Sequence, residues 1–317
     1  MIIVRFIKFV GKSGAYLAPL VLIAGLSGCA SPKISTQIGE FSKATVLTAD
    51  NTKLAFKLVE DGYYHEQVSR LIFKSHDPKN IKEFELDSIK PFISTNALQI
   101  RLDILDALTT YAVNLSVLVG QGPLTNLDQQ TTAFAGVLTT LDTNLVSDLH
   151  LQKEAFSPAE IQIFTTAINA IGNWLISYKQ EKDAQKVITS MQKPVTDICQ
   201  LFQKDFEILR DQFTNDVAVT FAQDRQFILD HEAQFENTPG EKQEAIEKLA
   251  DLTQAYSSDL QIFDSMPAAV AKLAKAQTAL GQAVSGNKPD NLDSLISEFS
   301  ADAQRISKYY RLLKNNK

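Results

Sequence analysis

Apolar residues spaced three and four positions apart recur along most of the chain. One such series consists of Ile161, Phe164, Ile168, Ile171, Leu175 and Tyr178. Residues at this spacing lie on one face of an α-helix, so each series predicts a helix that buries one side against a neighbour. Runs of alternating Val, Ile and Thr with hairpin turns, which are typical of strands, are essentially missing. The sequence therefore predicts an all-α fold, an elongated antiparallel helical bundle with long coiled-coil-like helices.

Proline and glycine residues mark where these helices begin and end. The predicted helices cover about 36–74, 80–89, 95–119, 124–145, 158–191, 194–235, 241–284 and 290–314. A break is predicted in the Thr-rich stretch 45–52, and Pro267 should kink or split its helix. Residues 36–317 are expected to form the all-helical domain, with a candidate subdivision near 150–157. The long helices from 158 onward favour either a four-helix up-down arrangement or an extended rod.

The N-terminal residues differ from the rest of the chain. Arg5, Lys8 and Lys12 precede a mostly apolar run at 17–26, and the tetrapeptide Leu-Ser-Gly-Cys occupies 26–29. A run of about ten residues is too short to span a bilayer, which needs ~20 helical residues. A basic start, a short apolar run and small residues at its end are the layout of a secretory signal.

This tetrapeptide resembles the lipobox of bacterial lipoprotein precursors. The resemblance implies that residues 1–28 are a cleaved signal peptide, that the Cys29 thiol receives diacylglycerol, and that the new amine is acylated. Two or three acyl chains hold a protein firmly to a membrane where one chain would not. Ala30, in place of Asp, resembles the enterobacterial pattern for delivery to the outer membrane. We therefore expect a protein anchored by lipid in the outer membrane and facing the periplasm, with 29–35 as lipidated cysteine and tether.

Two other interpretations of the N-terminus remain open. One is an ordinary signal peptide with a chance cysteine, and the other is an N-terminal membrane helix. The length of the apolar run and its flanking residues fit the lipoprotein interpretation better than either.

Charge and cysteine content narrow the classes of function. Loss of 1–28 would leave 28 Lys and Arg against 37 Asp and Glu, a net charge of −9. An acidic surface does not suit a nucleic-acid binder, so no nucleic-acid partner is expected. With Cys29 acylated, Cys199 would be the only other cysteine, and no internal disulfide could form. Its position one turn before Phe202 predicts a small core residue rather than a reactive thiol.

No catalytic motif is recognisable, so no enzymatic activity is expected, and neither is a cofactor. The four histidines form no His-Glu-x-x-His pair. Asp61 and His65 lie one helical turn apart with Glu66 adjacent. A solvated, weakly paired helix face explains this group better than a metal site does.

Two groups of side chains remain candidates for binding. Eight aromatic residues could line an apolar cavity, although filling the interior of a bundle is the commoner use. They are Phe202, Phe206, Phe213, Phe221, Phe227, Phe235, Tyr256 and Phe263. A C-terminal cluster could contact cell wall or lipid head groups, or could simply place cations at a helix C-terminus. It consists of Arg305, Lys308, Tyr309, Tyr310 and Arg311.

The favoured function is a helical scaffold or protein–protein interaction module, anchored in the envelope, with an envelope protein or the cell wall as partner. An exposed apolar stripe left after the helices pack would support it. The alternative is a bundle that holds a small apolar ligand or a metal. A closed aromatic pocket, or convergence of Asp61, His65 and Glu66, would support that alternative.

Overall fold

The computed structural model describes residues 32–74, 89–120 and 184–315, apart from Asn237, Lys288 and Asp290. These residues form helices α1 Pro32–Lys74, α2 Thr95–Leu118, α3 Ala184–Asp230, α4 Glu232–Phe235, α5 Pro239–Val284 and α6 Leu292–Asn315. No strand occurs in these ranges. The predicted all-α bundle is therefore confirmed.

Several predictions concern residues outside the described ranges. They are the signal peptide, the lipidated Cys29, the helices near 80–89 and 124–145, most of the 158–191 helix, and the subdivision near 150–157.

Helix α1 is the centre of the bundle. It packs against α2, α3, α5 and α6, so most of its surface is buried, and one exposed stripe that includes Glu40, Asp50 and Lys57 faces solvent. The hydroxyls of Ser42, Thr45 and Thr52 each donate to the carbonyl four residues earlier at 2.8 Å. These bonds satisfy polar groups that burial would otherwise leave unpaired. The helix continues through 45–52, and the predicted break is wrong.

Helix α1 also begins earlier than predicted, at Pro32 rather than near Thr36. Proline suits the first turn of a helix because its missing N–H would have no partner there. The predicted tether over 29–35 is therefore too long, since residues 32–35 are helical.

Helix α2 returns antiparallel to α1. Lys53 Nζ lies 2.5 Å from Asp106 Oδ1, while further along α1 the Glu60 carboxylate accepts from the Ile93 backbone N–H at 2.8 Å. The Ser94 hydroxyl accepts from an N–H of the first turn, which explains why α2 begins where the sequence predicted.

Helices α3 and α5 form the longest antiparallel pair, and α6 returns along both α5 and α1. Arg210 Nε of α3 lies 2.6 Å from Asp264 Oδ1 of α5. Lys272 Nζ of α5 lies 2.7 Å from Asp302 Oδ2 of α6. Helices α3 and α5 are continuous through their internal prolines.

The proline in α3 is held by its surroundings. A proline removes one helical hydrogen bond. However, Met191, Val195 and Ile198 are all buried beside Pro194, so packing supports the helix there. The helix end predicted near Met191 is wrong, and α5 is not split at Pro267.

The two ends of the bundle contain different numbers of helices. At the base, where α1 begins and α5 ends, all five long helices surround one hydrophobic core. At the other end, α1, α3 and α5 are the only described long helices that continue beyond the start of α2 and the end of α6. We call residues 214–260 the hairpin tip. Phe213 is the last buried hydrophobic residue of α3, and Ile262 is the first of α5.

Candidate interaction surface at the hairpin tip

An open apolar groove runs between α3 and α5 on the outer side of the hairpin tip. Its volume is about 300 Å³, and carbon atoms form most of its surface. It is lined by Thr214, Val217, Ala218, Phe221, Leu252, Thr253 and Tyr256. We call it the tip groove. Phe221 remains 38% exposed at its surface, an unusual position for a phenylalanine in a helix interface.

The tip groove stays open because α1 covers another side of α3. A Cβ on Gly62 of α1 would lie 3.3 Å from the Phe213 ring, and the Ser69 hydroxyl donates to Asp224 at 2.7 Å. Phe213 and Asp224 lie outside the groove lining. The third helix at this end therefore leaves the groove side of the α3–α5 pair uncovered by the described helices.

Aromatic packing holds the floor of the groove. The Tyr256 ring stacks on Phe213 with centroids 5.9 Å apart. Phe213 in turn contacts Phe263 at 5.0 Å, where the hydrophobic core begins. The groove is thus built on a rigid aromatic support that connects it to the core.

Exposed apolar side chains are concentrated at this end of the molecule. Among the described residues the large hydrophobic side chains that are exposed are Leu54, Tyr64, Ile72, Phe221, Leu229 and Ile246. The last three lie in the hairpin tip, and Tyr64 and Ile72 lie on the part of α1 beside it. Such a concentration is typical of an interaction site rather than of scattered surface residues.

The net negative charge of the chain is concentrated in the hairpin tip. Residues 214–260 contain ten Asp or Glu and three Lys or Arg, a net charge of −7. The whole chain has a net charge of −6 at pH 7, so the remaining residues are close to neutral. Two of the three cations are already in exposed ion pairs, Lys242 with Glu232 at 3.0 Å and Lys248 with Glu244 at 2.8 Å.

The outer side of the same helix pair is more polar near the base than at the tip. A second groove there is lined by Thr189, Gln192, Lys193, Thr196, Asp197 and Thr278. Thr189 and Thr214 are 25 residues apart on α3, about seven helical turns, so both grooves lie on about the same side of the helix. The apolar character of the tip groove is therefore specific to that end of the pair.

The buried acid closest to the tip groove is Asp216, which faces α1. Its side chain accepts from Gln212 Nε2 at 2.6 Å. Burial, opposed by that hydrogen bond and by Arg70 of α1, raises the pKa of Asp216 to about 6. The hairpin tip therefore contains a carboxylate whose burial disfavours its charged form.

The eight aromatic residues that were candidates for lining a cavity do not form one site. Four of them are buried in the core: Phe202, Phe206, Phe213 and Phe263. Phe221 and Tyr256 line the tip groove. Phe227 stacks on His231 at 4.3 Å near the end of α3, and Phe235 lies in α4. The rings are distributed along the bundle instead of surrounding a cavity.

The three residues of the alternative metal site, Asp61, His65 and Glu66, do not converge. Asp61 and His65 are exposed, whereas Glu66 is buried. The Glu66 carboxylate pairs with Arg70 and accepts from Gln67 at 2.6 Å. Within the described ranges, no group of three or more His, Cys, Asp or Glu side chains is placed to hold a metal ion.

The predicted C-terminal interaction cluster is divided between the interior and the surface. Tyr309 and Tyr310 pack against the core. The Tyr310 hydroxyl donates to the Asn51 carbonyl at 2.9 Å, and burial raises the pKa of Tyr310. The two tyrosines, which are partly buried, therefore contribute to packing, and their part in a binding surface stays a prediction.

The cationic side chains of that cluster are exposed to solvent. Arg305 Nη2 is 3.0 Å from Asp302, which also pairs with α5, and Lys308 and Arg311 are exposed. Their position near the end of α6 is where the helix dipole favours positive charge. This placement explains them without a ligand.

Cys199 is buried in the core, as its position predicts. Burial raises the pKa of the Cys199 thiol, so it stays protonated at neutral pH. It has no role in the surface described above.

The apolar spacing of the sequence does not predict the tip groove. Val217 and Phe221 continue the same three-and-four spacing that predicts buried residues elsewhere on α3. The one available signal was the run of acidic residues that follows them, which separates the hairpin tip from the rest of the chain.

None of the described helices contains a stretch that is both long and apolar enough to cross a membrane. Comparison of the chain with protein-family models, curated proteins and solved structures found no match.

Proposed function

We propose that this protein is a lipid-anchored cell-envelope protein whose helical bundle acts as an interaction module, with the tip groove as the docking site for another protein. The observation that carries the proposal is the apolar groove left open at the hairpin tip. Each Å² of apolar surface that a partner covers contributes ~25 cal/mol. Contiguous apolar patches larger than roughly a few hundred Å² are rare in soluble monomers, and grooves with apolar walls often mark interaction sites.

The anchor part of the proposal rests on the lipobox-like residues 26–29. Cys29 precedes the first residue of α1, Pro32, by three positions, which reach ~11 Å at most. Lipid on Cys29 would therefore hold the base of the bundle close to the membrane. The proposed location is the outer membrane, facing the periplasm.

The tip groove lies far from this anchor. The contacts of Gly62 and Ser69 with α3 bracket the groove, so it is level with residues 62–69 of α1. That level is about 50 Å along α1 from Pro32, at 1.5 Å per residue. A partner docked in the groove would be bound at the end of the bundle opposite the lipid.

The anchor is tested by Cys29→Ser in cells. We expect the variant to lose acyl labelling and to leave the membrane fraction, because the thiol that carries the lipid is gone. Unchanged acylation and membrane fractionation would overturn the anchor proposal without affecting the groove.

The docking site is tested with a photo-crosslinking residue placed at position 221 or, as a control, at position 192. Both positions lie on the outer side of α3, in the apolar and the polar groove respectively. We expect a discrete adduct with one identifiable envelope protein from position 221 in intact cells, and its loss when Leu252→Ser is added. Absence of an adduct at 221, or equal adducts at both positions, would contradict the proposal.

A small apolar ligand is the second candidate occupant. The groove volume falls at the lower end of the ~300–1,000 Å³ range of ligand pockets, and aromatic residues form part of its wall. Native mass spectrometry of the full-length protein in mild detergent separates the two. An added protein mass supports docking, and a small constant mass beyond the lipids supports the ligand.

A further inference from the structure

We propose that the partner segment docked in the tip groove is a basic amphipathic helix, with an apolar stripe that enters the groove and Lys or Arg residues along its flanks. This inference rests on the proposed function and adds the chemistry of the partner. It follows from the shape of the groove and the charge of the hairpin tip.

The shape fits a helix. A groove between two antiparallel helices accepts the side-chain ridge of a third, and α1 already packs on another side of α3 in this way. The α3 lining residues Thr214, Val217, Ala218 and Phe221 repeat at intervals of three, one and three, which is one face of a helix. Apolar anchors of a partner helix at matching three-and-four spacing would lie along it.

The length of the surface sets the length of the partner. Beyond the groove, exposed Leu229 of α3 and Ile246 of α5 extend the apolar surface toward the turn. From Thr214 to Leu229 the surface runs ~22 Å along α3, at 1.5 Å per residue. A partner helix of about 15 residues, or four turns, would cover it.

The negative charge of the hairpin tip predicts that the partner segment is positively charged. A net charge of −7 on 47 residues produces a negative potential that attracts cations and repels acidic segments. Flanking Lys or Arg residues would lie within the ~8 Å over which charges interact at physiological salt. A second copy of this chain is disfavoured as occupant, because it would bring two hairpin tips of −7 together.

The experiment uses the full-length lipidated protein in nanodiscs of phosphatidylcholine, with empty nanodiscs as the background. The probes are two fluorescent 15-residue helical peptides with the same leucine stripe, one with lysine flanks and one with glutamate flanks. Fluorescence anisotropy measures their binding. We expect the lysine peptide to bind at least about tenfold more tightly than the glutamate peptide, with the difference shrinking as salt is raised.

Three variants decide whether that binding occurs in the groove. Phe221→Ser and Leu252→Ser keep the net charge and should weaken the lysine peptide about tenfold or more. Leu54→Ser removes a comparably exposed leucine, 42% accessible, from α1 outside the tip, and should leave binding unchanged. Circular dichroism checks that each variant keeps its helices.

Two results would overturn the inference. Equal binding of both peptides would show that charge does not select the partner. Binding of the lysine peptide that survives Phe221→Ser and Leu252→Ser would show attraction to the acidic surface without docking in the groove. If position 221 still crosslinks to one envelope protein in cells, the proposed function stands and only the partner's chemistry is wrong. A dimer that forms through the groove would also overturn it, in favour of a second copy.

Discussion

The base and the hairpin tip are built from the same two helices but differ in what surrounds those helices. Phe206 and Phe221 are both on α3, fifteen residues or about four turns apart. Phe206 is 0% exposed within five packed helices, and Phe221 is 38% exposed where three of the described long helices continue. Apolar spacing therefore predicts a helix, while the number of neighbouring helices determines whether its apolar residues form core or surface.

The largest expected difference in stability is between alanine substitutions of these two phenylalanines. Phe206→Ala should lower the free energy of unfolding by about 3–5 kcal/mol, because it leaves a cavity in the core. Phe221→Ala should lower it by about 1–2 kcal/mol, because more than a third of that side chain already contacts water. Urea unfolding of both full-length variants, followed by circular dichroism, measures the difference. Equal losses would mean that Phe221 is covered in solution, and the comparison between base and tip would fail.

The next effect concerns ion pairs at the two ends. At the base, Arg101 donates to both carboxylate oxygens of Asp205 at 2.8 and 2.9 Å, and both side chains are buried. Arg101→Ala should lower the free energy of unfolding by about 3 kcal/mol, because it leaves a buried carboxylate without its partner. Lys242→Ala, which removes an exposed pair at the hairpin tip, serves as the matched control and should change it little. A similar loss of stability in both variants would show that burial does not make the Arg101–Asp205 pair more important than the exposed pair.

The smallest effect has the opposite sign and depends on pH. The pKa of Asp216 is raised from 3.8 to about 6, so the folded chain binds this proton more tightly than the unfolded chain does. The stabilisation from protonation is complete below pH 3.8 and is lost as the pH rises through 6. Asp216→Asn should therefore raise the free energy of unfolding by about 1–2 kcal/mol at pH 7.5. Measured at pH 4.5, that gain should shrink by more than half.

A gain that is independent of pH would contradict the assignment to Asp216. It would instead show that the stability of the hairpin tip is limited by packing rather than by a buried charge.

The extent of the helices was largely predictable, because helix formation depends on residues three and four positions apart. The bounds of α2 and α6 lie within about two residues of the predictions. The weak pattern of 45–52 misled the prediction for α1, because polar residues of this stretch, among them Thr45 and Thr52, are buried. These two threonines are tolerated because their hydroxyls bond to the helix backbone.

The contacts between helices could not be predicted. Arg101 and Asp205 are 104 residues apart, and no local pattern indicates that they meet. Tyr309 and Tyr310 looked like part of a surface cluster, yet the fold places Tyr310 against Asn51 of α1. Each of these outcomes depends on which helices become neighbours.

The long helices of this chain follow from its sequence, since helical periodicity is a local property. Which apolar faces are covered depends on how the helices pack together. At the base, five helices enclose theirs, and at the hairpin tip, α1 covers one side of the α3–α5 pair and leaves the groove of Val217, Phe221 and Tyr256 open. The physical reason is that burial depends on the whole set of neighbours, whereas helix formation depends on a single turn.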